Sequence, residues 1–103
     1  MKWILIALLS LPMMAMAGPK VLIDVRTAGE FEKAHLEGAA NLPVDKISEQ
    51  IGMLGLSTSD EILLYCRSGR RADIAKNKLE FLGYTKVRNL GGIDDARAAL
   101  AKK

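Results

Sequence analysis

The chemistry open to this chain is concentrated at its single cysteine. Cys66 closes the apolar run Leu63-Leu64-Tyr65 and is followed by Arg67-Ser68-Gly69-Arg70-Arg71-Ala72, where a helical pattern begins. A thiolate nucleophile needs its negative charge stabilised. Backbone N–H groups at a helix N-terminus and nearby guanidinium groups provide that. Gly69 lets the backbone turn with positive φ, so successive N–H groups of the loop can form an anion-binding nest. Arg67 and Arg70 are the electrostatic candidates, with Arg71 beside them, and Ser68 is placed to cap the helix or donate a hydrogen bond. One cysteine permits no intramolecular disulfide. The thiol is therefore buried and inert, paired between molecules, or reactive, and its cationic flanks favour an exposed, reactive one.

The elements that must position this loop follow from the apolar pattern. Val21–Val25 and Glu61–Tyr65 are continuous apolar runs, as strands covered on both faces should be, and Thr85–Leu90 supplies a further strand. Thr27 with Glu30 three residues on forms a capping box for a short helix ending near His35. Asp45 is placed to cap a second helix carrying Ile47, Ile51 and Leu54 on one face, with Gly55 just past its end. A third helix is expected over 71–82, with Ala72, Ala75, Leu79 and Leu82 facing inward. A final helix follows a Gly91-Gly92 turn, with Ile93, Ala96, Ala99 and Leu100 inward and the Asp94-Asp95 pair at its positive end. Strand and helix alternate throughout, which predicts one α/β domain: a mainly parallel sheet with helices on both faces. In such sheets sites lie beyond the carboxyl ends of the strands. Asp24-Val25-Arg26, Tyr65-Cys66 and Leu90-Gly91-Gly92 should therefore share one rim, with Asp24 and Arg26 supporting the Cys66 loop. Phe31 is expected in the core. His35, the only histidine, sits where a helix end leaves carbonyls free and is read as structural; with no second histidine, metal binding is not expected.

The start of the chain is read as a targeting segment. Met1-Lys2 is a short positive region, Trp3–Leu11 is almost wholly apolar, and Ala15-Met16-Ala17 is a small-x-small cleavage pattern. These mark residues 1–17 as a cleaved signal peptide and residues 18–103 as one exported domain. The formal charge of +3 is too mild, and the basic residues too scattered, to imply nucleic-acid binding. After cleavage no membrane association is expected, and nothing in the sequence demands more than a monomer.

Val21 to Pro43, Val-Leu-Ile-Asp-Val-Arg-Thr-Ala-Gly-Glu-Phe-Glu-Lys-Ala-His-Leu-Glu-Gly-Ala-Ala-Asn-Leu-Pro, resembles the opening motif of the rhodanese family: a strand with Asp-Val-Arg, then Glu-Phe, then His-x-x-Gly-Ala-x-Asn-x-Pro. Tyr65 to Arg71 resembles that family's active-site loop, and Leu90-Gly91-Gly92 its closing motif. The likeness spans nearly all of residues 18–103. With the leader, it suggests the exported, periplasmic single-domain form. Ala34 stands where many relatives have Gly, and Ile93-Asp94 where many carry an aromatic residue.

The resemblance implies a rhodanese-like fold and sulfur transfer. Thiosulfate would bind with its anionic end toward the arginines, Cys66 would take the sulfane sulfur as a persulfide, and cyanide or a thiol would accept it. No metal or organic cofactor is implied. Two other readings stay in view. One is a persulfide carrier or binding module serving a protein partner. The other is a cysteine phosphatase or arsenate reductase, whose loop needs an arginine six positions after the cysteine; here Ala72 holds that position and Arg71 falls one short.

Overall fold

The computed structural model describes residues 20–102 of the chain; the leader reading of residues 1–17 and the domain start at Gly18 lie outside the described residues. Four strands, β1 (Lys20–Asp24), β2 (Ala40–Asn41), β3 (Glu61–Cys66) and β4 (Lys86–Gly92), form a parallel sheet of order β2-β1-β3-β4. Between them run α1 (Ala28–Lys33), α2 (Ile47–Gln50) with a 3-10 turn at Ile51–Leu54, and α3 (Arg70–Phe81); α4 (Ile93–Ala101) follows β4. β3 lies inside the sheet and is almost wholly buried, as its unbroken apolar run requires.

Alternation along the strands builds two cores. Ile23 and Val25 of the β1 segment and Ile62, Leu64 and Cys66 of β3 face Ile47, Ile51, Ala72, Ala75 and Leu79, from α2, its 3-10 turn and α3. The opposite face carries Tyr65 against Leu36 and Ala96, the last from α4. Helices therefore cover both faces, as predicted. Asp24 pairs in register with Tyr65 and Asn41, and Cys66 with Gly92, so the carboxyl ends of all four strands meet on one rim.

Local signals set the helix starts unevenly. The Thr27–Glu30 capping box forms as expected: the Glu30 N–H donates to Thr27 Oγ1 (3.2 Å) and the Thr27 N–H to Glu30 Oε1 (3.0 Å). Asp45 does not cap α2. The cap position falls on Lys46, whose N–H closes a turn on the Pro43 carbonyl at 2.8 Å, so the proline turn rather than a carboxylate fixes that start. Gly55 ends the 3-10 turn in the left-handed region at φ 67°, as predicted.

Four residues expected to face inward do not. Leu82 is 44% exposed, because α3 tightens there and Tyr84, whose N–H bonds to the Leu79 carbonyl, packs against the core instead. Ala99 and Leu100 are exposed; instead of packing closely on the sheet they line an open cavity beside Leu63, Arg88 and Leu90. Phe31 is half-buried rather than core: α1 buries none of its residues, and the ring stacks on His35 with centroids 3.7 Å apart. His35 Nδ1 lies 2.8 Å from the Phe31 carbonyl, so that nitrogen donates to the end of α1, the structural role expected of it.

Candidate active site

β3 delivers Cys66 to the rim through an irregularity in its pairing with β4 between Leu64 and Cys66. Gly69 then turns the chain at φ 94°, and α3 begins at Arg70. The turn brings the Gly69 N–H to 2.9 Å from Cys66 Sγ, so a backbone donor points at the sulfur. Ser68 is exposed and does not cap α3; the cap position is Gly69, which has no side chain to contribute.

The loop is held from below by β4. Asn89 Nδ2 donates to the Gly69 carbonyl (2.8 Å) and to Asp73 Oδ1 (3.2 Å), while its Oδ1 accepts the Gly91 N–H (2.8 Å). Gly91 and Gly92 end the strand itself and lead directly into α4, rather than forming a separate turn. Their bare backbone lets the loop sit close. A Cβ on Gly92 would lie 2.5 Å from the Arg67 carbonyl oxygen, and one on Gly69 would lie 3.2 Å from Gly91 Cα. Asn89 was not singled out from sequence, where it reads as an ordinary polar strand residue. Its position two residues before Gly91, at a strand end on the predicted rim, was the available signal.

The three arginines are not equivalent. Arg67 is 76% exposed, with Nη1 3.8 Å from Glu30 Oε2. Arg71 spends its fork on Glu30, with Nη1 2.9 Å from Oε1 and Nη2 3.1 Å from Oε2. Arg70, at the start of α3, is exposed. The hydrogen bonds from Arg71, followed by the Thr27 backbone N–H, hold the Glu30 carboxyl down to about 2, and Glu30 in turn raises Arg71 above its ordinary range. Glu30 is thus ionised throughout the neutral range. Its contribution to stability is complete above the ordinary carboxylate range and is lost as pH falls through that range toward 2.

Asp24 and Arg26 form a second, buried assembly. Arg26 Nε lies 2.9 and 3.1 Å from the two Asp24 oxygens, Nη2 lies 2.7 Å from Oδ2, and the Arg26 N–H donates to Oδ1 at 2.9 Å. Nη2 also donates to the Ala34 carbonyl, and Asn41 Nδ2 donates to the Arg26 carbonyl at 3.0 Å. The bond to Asp24 raises the Arg26 guanidinium further above its ordinary range. Beside them the Tyr65 ring is wholly buried, its hydroxyl accepting the Leu36 N–H at 2.9 Å. Burial pushes that phenol up to about 12. Asp24 thus orients Arg26, and the pair straps the segment after α1 to β1 and is closed to solvent.

Cys66 itself differs from the expected exposed thiol: it is 0% exposed, screened on the face it shares with Ile62 and Leu64 and roofed by its own loop. A cavity of about 370 Å³ lies elsewhere, among Lys20, Leu63, Arg88 and Leu100, and includes no residue of the Cys66 loop. Among the described residues no cluster of three or more His, Cys, Asp or Glu could hold a metal ion, and no helix is long and apolar enough to cross a membrane.

Comparison with known proteins agrees with this layout. Residues 11–99 match the family described as the rhodanese-like domain. The thiosulfate sulfurtransferase PspE of Escherichia coli K12 is 37% identical over 73 residues, covering 71% of this chain and 70% of that protein. The putative sulfur carrier protein YrkF of Bacillus subtilis is 35% identical, covering 67% of this chain but 36% of that longer protein. Among solved structures, a rhodanese with anions from E. coli superposes with a TM-score of 0.71 at 36% identity, covering 74% of this chain and 89% of that one.

Proposed function

The chain belongs to the rhodanese family of sulfurtransferases, and from that membership we propose that it moves sulfane sulfur from thiosulfate to cyanide or a thiol through a persulfide on Cys66. The observation that carries the reading is the Gly69 N–H 2.9 Å from Cys66 Sγ, in a loop only three residues long between β3 and α3. Such a loop offers backbone dipoles to one sulfur atom. Ala72, where a phosphatase loop needs its arginine, lies on the buried face of α3 and presents no group to a tetrahedral oxyanion.

In the first half-reaction the Cys66 thiolate attacks the outer sulfur of thiosulfate. A new S–S bond forms, the bond to the sulfonate sulfur breaks, and its electron pair leaves with sulfite. The terminal sulfur of the persulfide now carries the negative charge, which the loop amides face. In the second half-reaction cyanide or a thiolate attacks that terminal sulfur, and the electron pair of the S–S bond returns to Cys66 as thiolate. Electrons balance within each step, so no redox cofactor is required. This is ping-pong covalent catalysis. Arg67 and Arg70, both exposed at the loop mouth, attract the anionic donor.

The leader pattern at residues 1–17 supports export, with the persulfide chemistry taking place in the periplasm and on a monomer. A carrier role, in which the acceptor is a protein thiol, is favoured by the likeness to YrkF. It shares the first half-reaction and departs only in the second.

Steady-state assays test the reading. Thiosulfate and cyanide should yield thiocyanate with parallel double-reciprocal lines, and Cys66→Ser should give none. Arg67→Ala and Arg70→Ala should each raise the KM for thiosulfate by about two- to fivefold, the size of one lost charged contact at an exposed site, with Tm unchanged. Unaltered KM in both variants would make these arginines merely solvated. Slow discharge by cyanide but fast discharge by a protein thiol would favour the carrier.

A further inference from the structure

The geometry points to Glu30 as the residue that sets the charge the Cys66 loop presents to its donor, so that dianions enter but are not retained; this rests on the sulfurtransferase reading. One carboxylate does two jobs. Oε1 accepts from the Thr27 N–H (3.0 Å) and lies 3.1 Å from Thr27 Oγ1, completing the cap of α1. The same group also binds both ends of the Arg71 fork and lies 3.8 Å from Arg67. The cap needs only a neutral acceptor, since glutamine serves at that position as well as glutamate. The negative charge is therefore surplus to the cap, and it is spent on the arginines of a loop that begins at Cys66.

The surplus charge has a chemical consequence. Thiosulfate is a dianion at neutral pH, and the sulfite it leaves behind departs as one before it meets the solvent. A loop presenting three unopposed guanidinium groups would hold the leaving group as firmly as the donor. Glu30 removes Arg71 from that set and partly offsets Arg67, while Arg70 has no ion-pair partner among the described residues. The other carboxylates near the loop are engaged with β4 and its end: Asp73 accepts from Asn89, and Asp95 from the Gly92 N–H. Among the described residues Glu30 alone couples the loop to α1 by hydrogen bonds or ion pairs, so it acts on the reaction through Arg71 and Arg67 as a positioning residue.

Glu30→Gln separates the two jobs, because it keeps the cap acceptor and removes the charge. The expected result is a Tm within a few degrees of the native protein and a KM for thiosulfate lowered about three- to fivefold. Inhibition by sulfite should tighten by the same factor, kcat should fall as sulfite release slows, and the KM for an uncharged thiol acceptor should stay unchanged. Both shifts should shrink as salt is raised. Glu30→Asp, which keeps the charge, should return the KM for thiosulfate to within about twofold of native. Unchanged KM and sulfite inhibition in Glu30→Gln, with or without a loss of Tm, would reduce Glu30 to a helix cap and overturn the inference. So would identical behaviour of the Gln and Asp variants. If the native protein takes no sulfur from thiosulfate, the underlying reading falls and this inference with it; if it takes sulfur normally while Glu30→Gln matches it, only the inference falls.

Discussion

Asp24→Ala is expected to destabilise the fold by about 3–5 kcal/mol, the cost of leaving a buried charge without its partner. The Arg26 side chain is 8% exposed and Asp24 is fully buried, so water cannot replace the lost carboxylate. Four contacts go with it, three from the guanidinium and one from the Arg26 N–H. A loss of that size is a large share of the roughly 5–15 kcal/mol that holds a small domain together, so the variant should be largely unfolded at moderate urea. The damage should spread to the rim, because Arg26 also ties down the Ala34 carbonyl and the Asn41 side chain. Urea denaturation of the single variant and of Asp24→Leu with Arg26→Met checks the cause. The double variant should recover much of the loss, since an apolar pair leaves no orphan charge. A single variant costing less than about 1 kcal/mol would mean that the pair behaves as a solvent-screened surface bridge.

Gly92→Ala is expected to abolish most activity while leaving a folded protein. The added methyl would meet the Arg67 carbonyl oxygen at 2.5 Å and the Arg67 carbonyl carbon at 3.2 Å. Both are backbone atoms of the loop that roofs Cys66, and neither can rotate aside. Relief requires the loop to rise, which moves the Gly69 N–H from the sulfur and strains the Asn89 clamp on the Gly69 carbonyl. Overpacking of this kind costs about 1–3 kcal/mol of stability. A shift approaching 1 Å at the reacting group can cost about 100-fold in rate. Thiocyanate turnover should therefore fall far more than Tm. Activity within twofold of native would mean that the loop is soft enough to absorb the methyl, and that its close packing on β4 does not set the site.

What could be read from sequence was local or periodic. The capping box needed only Thr27 and Glu30, and the alternation of apolar runs placed Asp24, Cys66 and Gly92 at strand ends that the parallel register then brings together. What could not be read depended on distant partners. Glu30 meets Arg71 across 41 residues, and Asn89 meets Gly69 across 20, and neither separation leaves a mark in the local pattern. The burial of Cys66 lies between these cases. Its charged followers argued for exposure, yet Ile62, Leu64 and Cys66 alternate onto one covered face, and strand geometry outweighed the neighbouring charges. Leu82 is the converse case: its helical spacing points inward, but α3 tightens at its end and Tyr84 takes the place against the core.

In the proposed reaction everything passes through the persulfide on Cys66. Intact mass of the folded protein, incubated with thiosulfate without oxygen, tests it most directly. The expected result is a gain of one sulfur atom, removed by cyanide and missing in Cys66→Ser. Folded native protein that gains no sulfur, or a Cys66→Ser variant that gains it equally, would contradict it.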